Sequence, residues 1–210
     1  MHVNSEQVSG RALIIFYRNP EPGRVKTRLA STIGHQQALA IYLKLVEHTL
    51  KAAEPVAADK IVYYSEKIVL DDIWPSLFIK NLQKGETLGD KMKNAFKECF
   101  DNGYKQVCII GTDCCDLDDK TINEAFEVLE RSDAVLGPAK DGGYYLLGMK
   151  AFHPALFNDK KWGTNTVAES TIKDLQEMKL TYGKLQILTD IDDEGDLTPE
   201  VLDKLGYHLK

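Results

Sequence analysis

An aspartate that follows an apolar stretch is the first residue that could do chemistry. Residues 107–110 are apolar at every position, which is typical of a strand covered on both faces of a parallel sheet. Gly111 lets the backbone turn, and Asp113 comes two residues later. Ligands of such sheets bind beyond the carboxyl ends of the strands. Asp113 is therefore a candidate ligand of a metal ion, or alternatively only the cap of the next helix.

A cluster of cations follows the first predicted strand. Residues 18–29 contain two prolines and Gly23, which indicate an ordered loop. A loop rich in cations and backbone N–H groups after a strand could hold phosphate oxygens, although a solvated turn is the alternative. The candidate phosphate-binding residues are Arg18, Gly23, Arg24, Lys26 and Arg28.

Two further stretches carry polar groups at predicted strand ends. Residues 137–148 contain Asp141, Gly142 and Gly143 between apolar runs, which predicts a hairpin and leaves bare backbone that a substrate could approach. Residues 189–197 contain five acids, and an acidic turn at a strand end could complete a cation site. Trp162 could stack on a sugar or base, or cover the edge of the core.

The elements that must position these residues alternate along the chain. The apolar runs predict strands at 11–17, 60–64, 76–80, 107–110, 133–137, 144–148 and 184–188. The helical periodicity predicts helices at 35–53, 88–101, 119–131 and 167–179, and a short one starting near Pro199. Capping boxes are predicted at Thr87 and Thr166. This alternation predicts an α/β fold, a three-layer α/β/α sandwich around a mostly parallel central sheet.

Composition excludes several classes of protein. The 210 residues suit a single domain, residues 1–210, and the net charge of −6 argues against nucleic-acid binding. No apolar run reaches the roughly 20 residues of a membrane span, and the polar N-terminus does not resemble a signal peptide. We therefore expect a cytoplasmic protein. The four cysteines lack the spacing of a zinc site.

Four stretches together resemble one family. PEPGRVKTRLA (20–30), QKGETLGDKM (83–92), GTDCCDL (111–117) and GPAKDGGYYLLG (137–148) are similar to bacterial GT-A-type glycosyltransferase-like proteins. That family belongs to the nucleotide-diphospho-sugar transferase superfamily, and many of its members are uncharacterised. The chain differs from the family pattern at Arg18, Lys91 and Cys115, where Lys, Arg and Pro are usual.

The resemblance implies a Rossmann-like GT-A fold, a nucleotide-activated donor and a Mg²⁺ or Mn²⁺ ion. It implies phosphate contacts from Arg24, Lys26 and Arg28, and metal ligation by Asp113 and, less directly, Asp192. It also implies that Asp141, Gly142 and Gly143 face the acceptor or the donor sugar. Because the base for an acceptor hydroxyl would have to be a nearby carboxylate, Asp141 is the candidate base.

We predict a metal-dependent glycosyltransferase that uses a nucleoside-diphosphate sugar and an unidentified small-molecule acceptor. A nucleotidylyltransferase of the guanylyltransferase kind, which takes a nucleoside triphosphate and releases pyrophosphate, is the alternative, because its demands for metal and phosphate contacts nearly coincide. The third possibility is a catalytically silent module that binds a sugar nucleotide. The departures from the family pattern at Arg18 and Cys115 favour it.

Overall fold

Seven strands form one sheet in the computed structural model, which describes residues 10–207. The strands are β1 (Arg11–Tyr17), β2 (Asp59–Tyr64), β3 (Ile79–Leu82), β4 (Gln106–Ile110), β5 (Ala134–Pro138), β6 (Tyr144–Met149) and β7 (Tyr182–Lys184). Their order across the sheet is β3-β2-β1-β4-β6-β5-β7. Only β6 pairs antiparallel to its neighbours, so the sheet is mixed but mostly parallel, as predicted.

Helices cover both faces of the sheet. They are α1 (Thr27–Ile33), α2 (His35–Ala53), α3 (Leu88–Asp101), α4 (Asp119–Arg131), α5 (Val167–Glu177) and α6 (Pro199–Lys204). Successive strand residues point to opposite faces, so Leu13 and Ile15 pack with α2 and α4, whereas Ala12 and Ile14 pack with α3 and α5. The three-layer sandwich is confirmed. A third apolar cluster joins α1, α2 and α6.

Three helices that the hydrophobic periodicity predicts begin and end at the predicted residues. These are α2, α3 and α4, and α3 begins with the predicted capping box of Thr87 and Asp90. Asp118 caps α4, because its carboxylate accepts a hydrogen bond from the backbone N–H of Thr121 at 2.8 Å. Asp113 is therefore not the cap of that helix.

Two predictions about helix starts are wrong. The loop is predicted over residues 18–29, but α1 already begins at Thr27. Leu29 and Ala30 are buried in the third cluster, and this packing stabilises a short helix. Thr166 does not cap α5 with its side chain; its backbone is not extended, and its hydroxyl lies 2.9 Å from that of Thr164.

Two strand predictions are displaced. The strand predicted at 76–80 is β3, Ile79–Leu82, because a turn from Pro75 to Phe78 precedes it. The strand predicted at 184–188 lies earlier, at β7, where Tyr182–Lys184 pair in register with β5. The described residues that follow β7 run beside β5 and form isolated backbone hydrogen bonds with it, but they do not extend the strand.

In the described part of the chain, no helix is both long and apolar enough to cross a membrane. The four cysteines are buried and free. The polar N-terminus that the sequence analysis contrasted with a signal peptide lies almost wholly in residues 1–9, outside the described residues.

Candidate active site

A cleft opens where the carboxyl ends of β1 and β4 meet. These strands are parallel neighbours, and the chain leaves β1 toward β2 on one side and reaches β4 on the other. Such a point of reversal is the usual ligand site of open α/β sheets. The cleft has a volume of about 650 Å³, which suits a nucleotide-sized ligand.

The cleft brings the predicted acid and two of the predicted cations together. Asp113 follows β4, whereas Arg18 and Arg24 follow β1, and all three line the same cavity. Had they opened onto separate surfaces, a shared phosphate and metal site would have been impossible. Lys91 is a third cation of the lining that was not predicted as a site residue, although it lies in one of the four family-like stretches.

The loop after β1 is anchored by a buried asparagine. The side chain of Asn19 accepts hydrogen bonds from the backbone N–H groups of Glu66 and Lys67 and donates to the carbonyl oxygen of Lys67 at 2.9 Å. Its own backbone N–H donates to Ser65 Oγ. Because Glu66 also pairs with the Arg24 guanidinium at 2.7 Å, Asn19 fixes the cationic loop against the segment after β2.

The remaining residues of the predicted phosphate loop have other surroundings. Gly23 and Arg28 are exposed, but neither belongs to the lining of the cleft, and Arg28 lies on α1. Lys26 has a buried side chain, only 4% exposed, whose ammonium contacts Asp113 Oδ1 and lies 3.3 Å from Asp192 Oδ1. Burial acts to lower the pKa of Lys26, but the charges of Asp113 and Asp192 outweigh it and the pKa is raised.

The acidic turn contributes a residue that the sequence analysis did not single out. Asp190 lines the cleft, and its Oδ1 is buried without a hydrogen-bond partner. Burial, followed by the charge of Asp113, raises the pKa of Asp190 to about 7. The turn is held beside the β4 loop because Ile191 N–H donates to the Asp113 carbonyl oxygen at 2.9 Å. The five-acid stretch was the signal, but spacing alone could not say which acid faces the cleft.

The donor set fits a divalent cation that is shared with a ligand. Among residues 10–207, no three acidic, histidine or cysteine side chains converge closely enough to hold a metal ion by themselves. Mg²⁺ usually takes one or two protein carboxylates and completes its shell with phosphate oxygens and water. Asp113 and Asp192 converge on one ammonium, and the buried Asp190 oxygen lacks a partner, so the carboxylates suit this arrangement.

The predicted hairpin joins β5 and β6 and places its turn at the cleft. Asp141 and Gly143 line the cavity, and Asp141 Oδ1 accepts a hydrogen bond from Gly143 N–H at 2.8 Å. Gly142 has φ of 89°, and a side chain there would overlap the backbone of Asn165. Gly142 is therefore required by the turn and by this close approach, and it does not line the cleft.

Trp162 separates the main cleft from a smaller one. It lines both cavities, the second of about 440 Å³. Its ring meets that of Tyr144 edge to face, with centroids 6.5 Å apart, and packs closely against Gly89. The ring covers a core edge and also faces the cavity, and its stacking on a sugar or base stays a prediction.

The sequence matches a described family. Residues 49–164 fit the model of the uncharacterised proteins conserved in bacteria, DUF2064. The chain belongs to this family. This DUF2064 protein is also similar to a solved structure from Desulfovibrio desulfuricans G20, a protein assigned provisionally as a nucleotide-diphospho-sugar transferase. The two are 32% identical, with 90% of this chain and 85% of that one covered and a TM-score of 0.83. The predicted family resemblance is confirmed.

The chain is also similar to a guanylyltransferase in sequence and to a CTP transferase in fold. The DUF2064 chain is 27% identical to the 2-phospho-L-lactate guanylyltransferase of Methanocaldococcus jannaschii over 194 residues, which cover 88% of this chain and 78% of that protein. Its fold matches the inositol-1-phosphate CTP transferase of T. maritima with a TM-score of 0.57 at 13% identity, covering 95% and 96% of the two chains. The chain therefore has the fold of the nucleotidyltransferase and nucleotide-sugar transferase superfamily.

Proposed function

We propose that this protein is a nucleotidyltransferase, which transfers a nucleoside monophosphate from a nucleoside triphosphate to a small acceptor and releases pyrophosphate. The observation that carries the proposal is the shared cleft, in which Arg18, Arg24 and Asp113 meet at the point where the strand order reverses. The similarity to a guanylyltransferase over most of the chain supports this reaction over glycosyl transfer, which the sequence analysis had ranked first.

The chemistry demands stabilisation of negative charge. An acceptor oxygen attacks the α-phosphorus, the bond from that phosphorus to the bridging oxygen breaks, and pyrophosphate leaves with the electron pair. The guanidinium groups of Arg18 and Arg24 stabilise charge on the phosphate oxygens, because fixed cations in a cleft need little reorganisation. A Mg²⁺ or Mn²⁺ ion held by Asp113 and Asp192 would neutralise further phosphate charge. An acceptor hydroxyl would give its proton to Asp141.

Glycosyl transfer is the second candidate, and the 32% identical structure favours it. The same cations would then stabilise a departing nucleoside diphosphate, and the bond that breaks would be the one from the sugar to the phosphate. A silent binding module is the third candidate. The change at Cys115 supports the silent module less than the sequence suggests. Cys115 is fully buried between α1, α2 and the acidic turn, so it packs in that core although the family usually has proline there.

Reverse reaction assays with a panel of candidate products separate these candidates. The protein is incubated with Mg²⁺, inorganic pyrophosphate and a panel of nucleotide-diphospho compounds and nucleoside-monophosphate esters, and the nucleotides are resolved by chromatography. A nucleotidyltransferase forms nucleoside triphosphate from its product and pyrophosphate. Formation of nucleoside diphosphate instead would identify glycosyl transfer or donor hydrolysis and overturn the proposal. Binding of nucleotide without either product would favour the silent module.

A further inference from the structure

A lysine of the protein itself lies where the sequence predicts a metal ion. The Lys26 ammonium contacts Oδ1 of Asp113 and lies 3.3 Å from Oδ1 of Asp192. These two acids come from separate segments, one after β4 and one in the acidic turn, and both are predicted metal ligands. One internal cation thus joins the two carboxylates.

The backbone of Lys26 is fixed, whereas its side chain is long and flexible. Lys26 has φ of 47° and ψ of 49°, a left-handed conformation that is costly for a residue with a side chain. Such a conformation persists where the surroundings over-determine it. Val25 and Leu29, both buried, anchor the chain on either side. The ammonium can therefore move by rotation of the flexible lysine side chain while the backbone stays in place.

We propose that Lys26 is a built-in counter-ion of the acidic cluster, which a divalent cation displaces when it binds. This rests on the proposed function only in taking Asp113 and Asp192 as the metal ligands. Without metal, the ammonium reduces the repulsion between Asp113 and Asp192, because one Oδ1 of each carboxylate lies beside it. A divalent ion on the same oxygens repels the ammonium, and because the Lys26 side chain is only 4% exposed, solvent screens this repulsion only in part.

Displacement links the metal to the phosphate ligand. The freed ammonium needs a new anionic partner, and an added pyrophosphate in the neighbouring cleft supplies one. Metal and pyrophosphate therefore favour each other's binding through Lys26, and by linkage the effect is the same in both directions. In this scheme the lysine is a positioning residue that sets metal affinity.

Metal binding without nucleotide tests the inference. The dissociation constant for Mn²⁺ is measured by electron paramagnetic resonance for the wild type, Lys26→Met, Lys26→Arg and Lys91→Met. Loss of a unit charge a few ångströms from the metal should tighten Mn²⁺ binding by about tenfold or more in Lys26→Met. Lys26→Arg keeps the competing charge and should stay near the wild type. Lys91→Met, which removes another cation of the cleft, should change affinity by less than about twofold.

A Lys26→Met protein that binds Mn²⁺ no more tightly than the wild type would overturn the inference, as would equal tightening by Lys91→Met. Inorganic pyrophosphate gives a second readout, because it should strengthen Mn²⁺ binding to the wild type by a larger factor than to Lys26→Met.

The wild-type protein offers a test that does not depend on a variant folding. The rate of acetylation of Lys26 by a water-soluble reagent is followed by mass spectrometry and normalised to Lys51, which is exposed on α2. The rate should rise severalfold with saturating Mg²⁺ and fall again when inorganic pyrophosphate is added. An unchanged rate with Mg²⁺ at concentrations that displace bound Mn²⁺ would contradict the inference.

The two proposals fail separately. Formation of nucleoside diphosphate in place of nucleoside triphosphate in the reverse reaction rejects nucleotidyl transfer but leaves the Mn²⁺ measurements intact. Equal Mn²⁺ affinities in the wild type and Lys26→Met reject the counter-ion but leave the product assay intact.

Discussion

The indole of Trp162 packs directly on the backbone of Gly89, so closely that a Cβ on Gly89 would overlap the ring nitrogen. Gly89 is a residue of the first turn of α3, and Trp162 lies in the segment before α5, so this contact joins two walls of the cleft. Glycine usually destabilises a helix relative to alanine. Its presence at residue 89 is explained by the close approach of the Trp162 ring, which leaves no room for a Cβ.

Gly89→Ala should therefore lower the free energy of unfolding and move Trp162. The overlap should cost about 1–3 kcal/mol. The better helix propensity of alanine should return up to about 1 kcal/mol. Urea unfolding measures the change, and tryptophan fluorescence in a Trp74→Phe background reports the indole. In a Trp162→Ala background the same substitution should cost nothing, so equal destabilisation in both backgrounds would contradict the contact as the cause.

Asp113→Asn should remove the metal-dependent part of nucleotide stabilisation, because the amide loses the charge that attracts a divalent cation. Nucleotide at 100 times its dissociation constant should stabilise the wild type by about 2.7 kcal/mol. Thermal unfolding with GTP or CTP, with and without Mg²⁺, measures this. Asp116→Asn is the matched control, since that acid pairs with Lys204 at 2.9 Å and is not in the lining of the cleft. Full metal-dependent stabilisation of Asp113→Asn would show that Asp113 does not hold the ion.

Asn19→Ala should both destabilise the protein and weaken nucleotide binding. The substitution leaves the backbone groups of Glu66 and Lys67 without their buried partner, which should cost about 1–3 kcal/mol. The loop that carries Arg18 and Arg24 also loses its anchor, so the dissociation constant for nucleotide should rise. Urea unfolding and calorimetric titration measure the two effects. Asn94→Ala, at an exposed position with one hydrogen bond to the Lys84 carbonyl oxygen, should leave nucleotide affinity near the wild-type value.

Asp133 should contribute stability that is lost at low pH. Its carboxylate accepts hydrogen bonds from the hydroxyl and backbone N–H of Thr181, which lower the pKa of Asp133 to about 2. The unfolded chain has an aspartate pKa of roughly 3.9, so the unfolded state binds the proton first as the pH falls. The contribution is fully present above about pH 4 and disappears as the pH falls through about 2.

Urea unfolding between pH 6 and pH 2 tests this. The free energy of unfolding of Asp133→Asn should fall less over the acid range than that of the wild type. Asp101→Asn, at an exposed acid paired with Lys97, is the control. If Asp133→Asn and the wild type lose stability in parallel, the hydrogen bonds from Thr181 do not stabilise the charged form.

Much of the fold follows from local patterns in the sequence. The apolar faces of α2, α3 and α4 recur at helical spacing, and polar caps begin α3 and α4, so their bounds are readable without a structure. The continuous apolar runs of β1 and β4 predict a covered parallel sheet, and the position of Asp113 after β4 predicts a place at its edge. The prediction of nucleotide chemistry came from the four stretches that resemble one family.

Other features depend on contacts between segments distant in sequence. The bounds of β7 follow from its register with β5, and α1 forms because its apolar residues meet α2 and the acidic turn. The burial of Asp190 and the pairing of Lys26 with two acids likewise exist only when three segments converge. The sequence alone determined which residue types reach the sheet edge, because periodicity and capping are local. Only the tertiary structure decided which of those charges face each other, because burial and Coulombic contact depend on distances that no spacing in the sequence encodes.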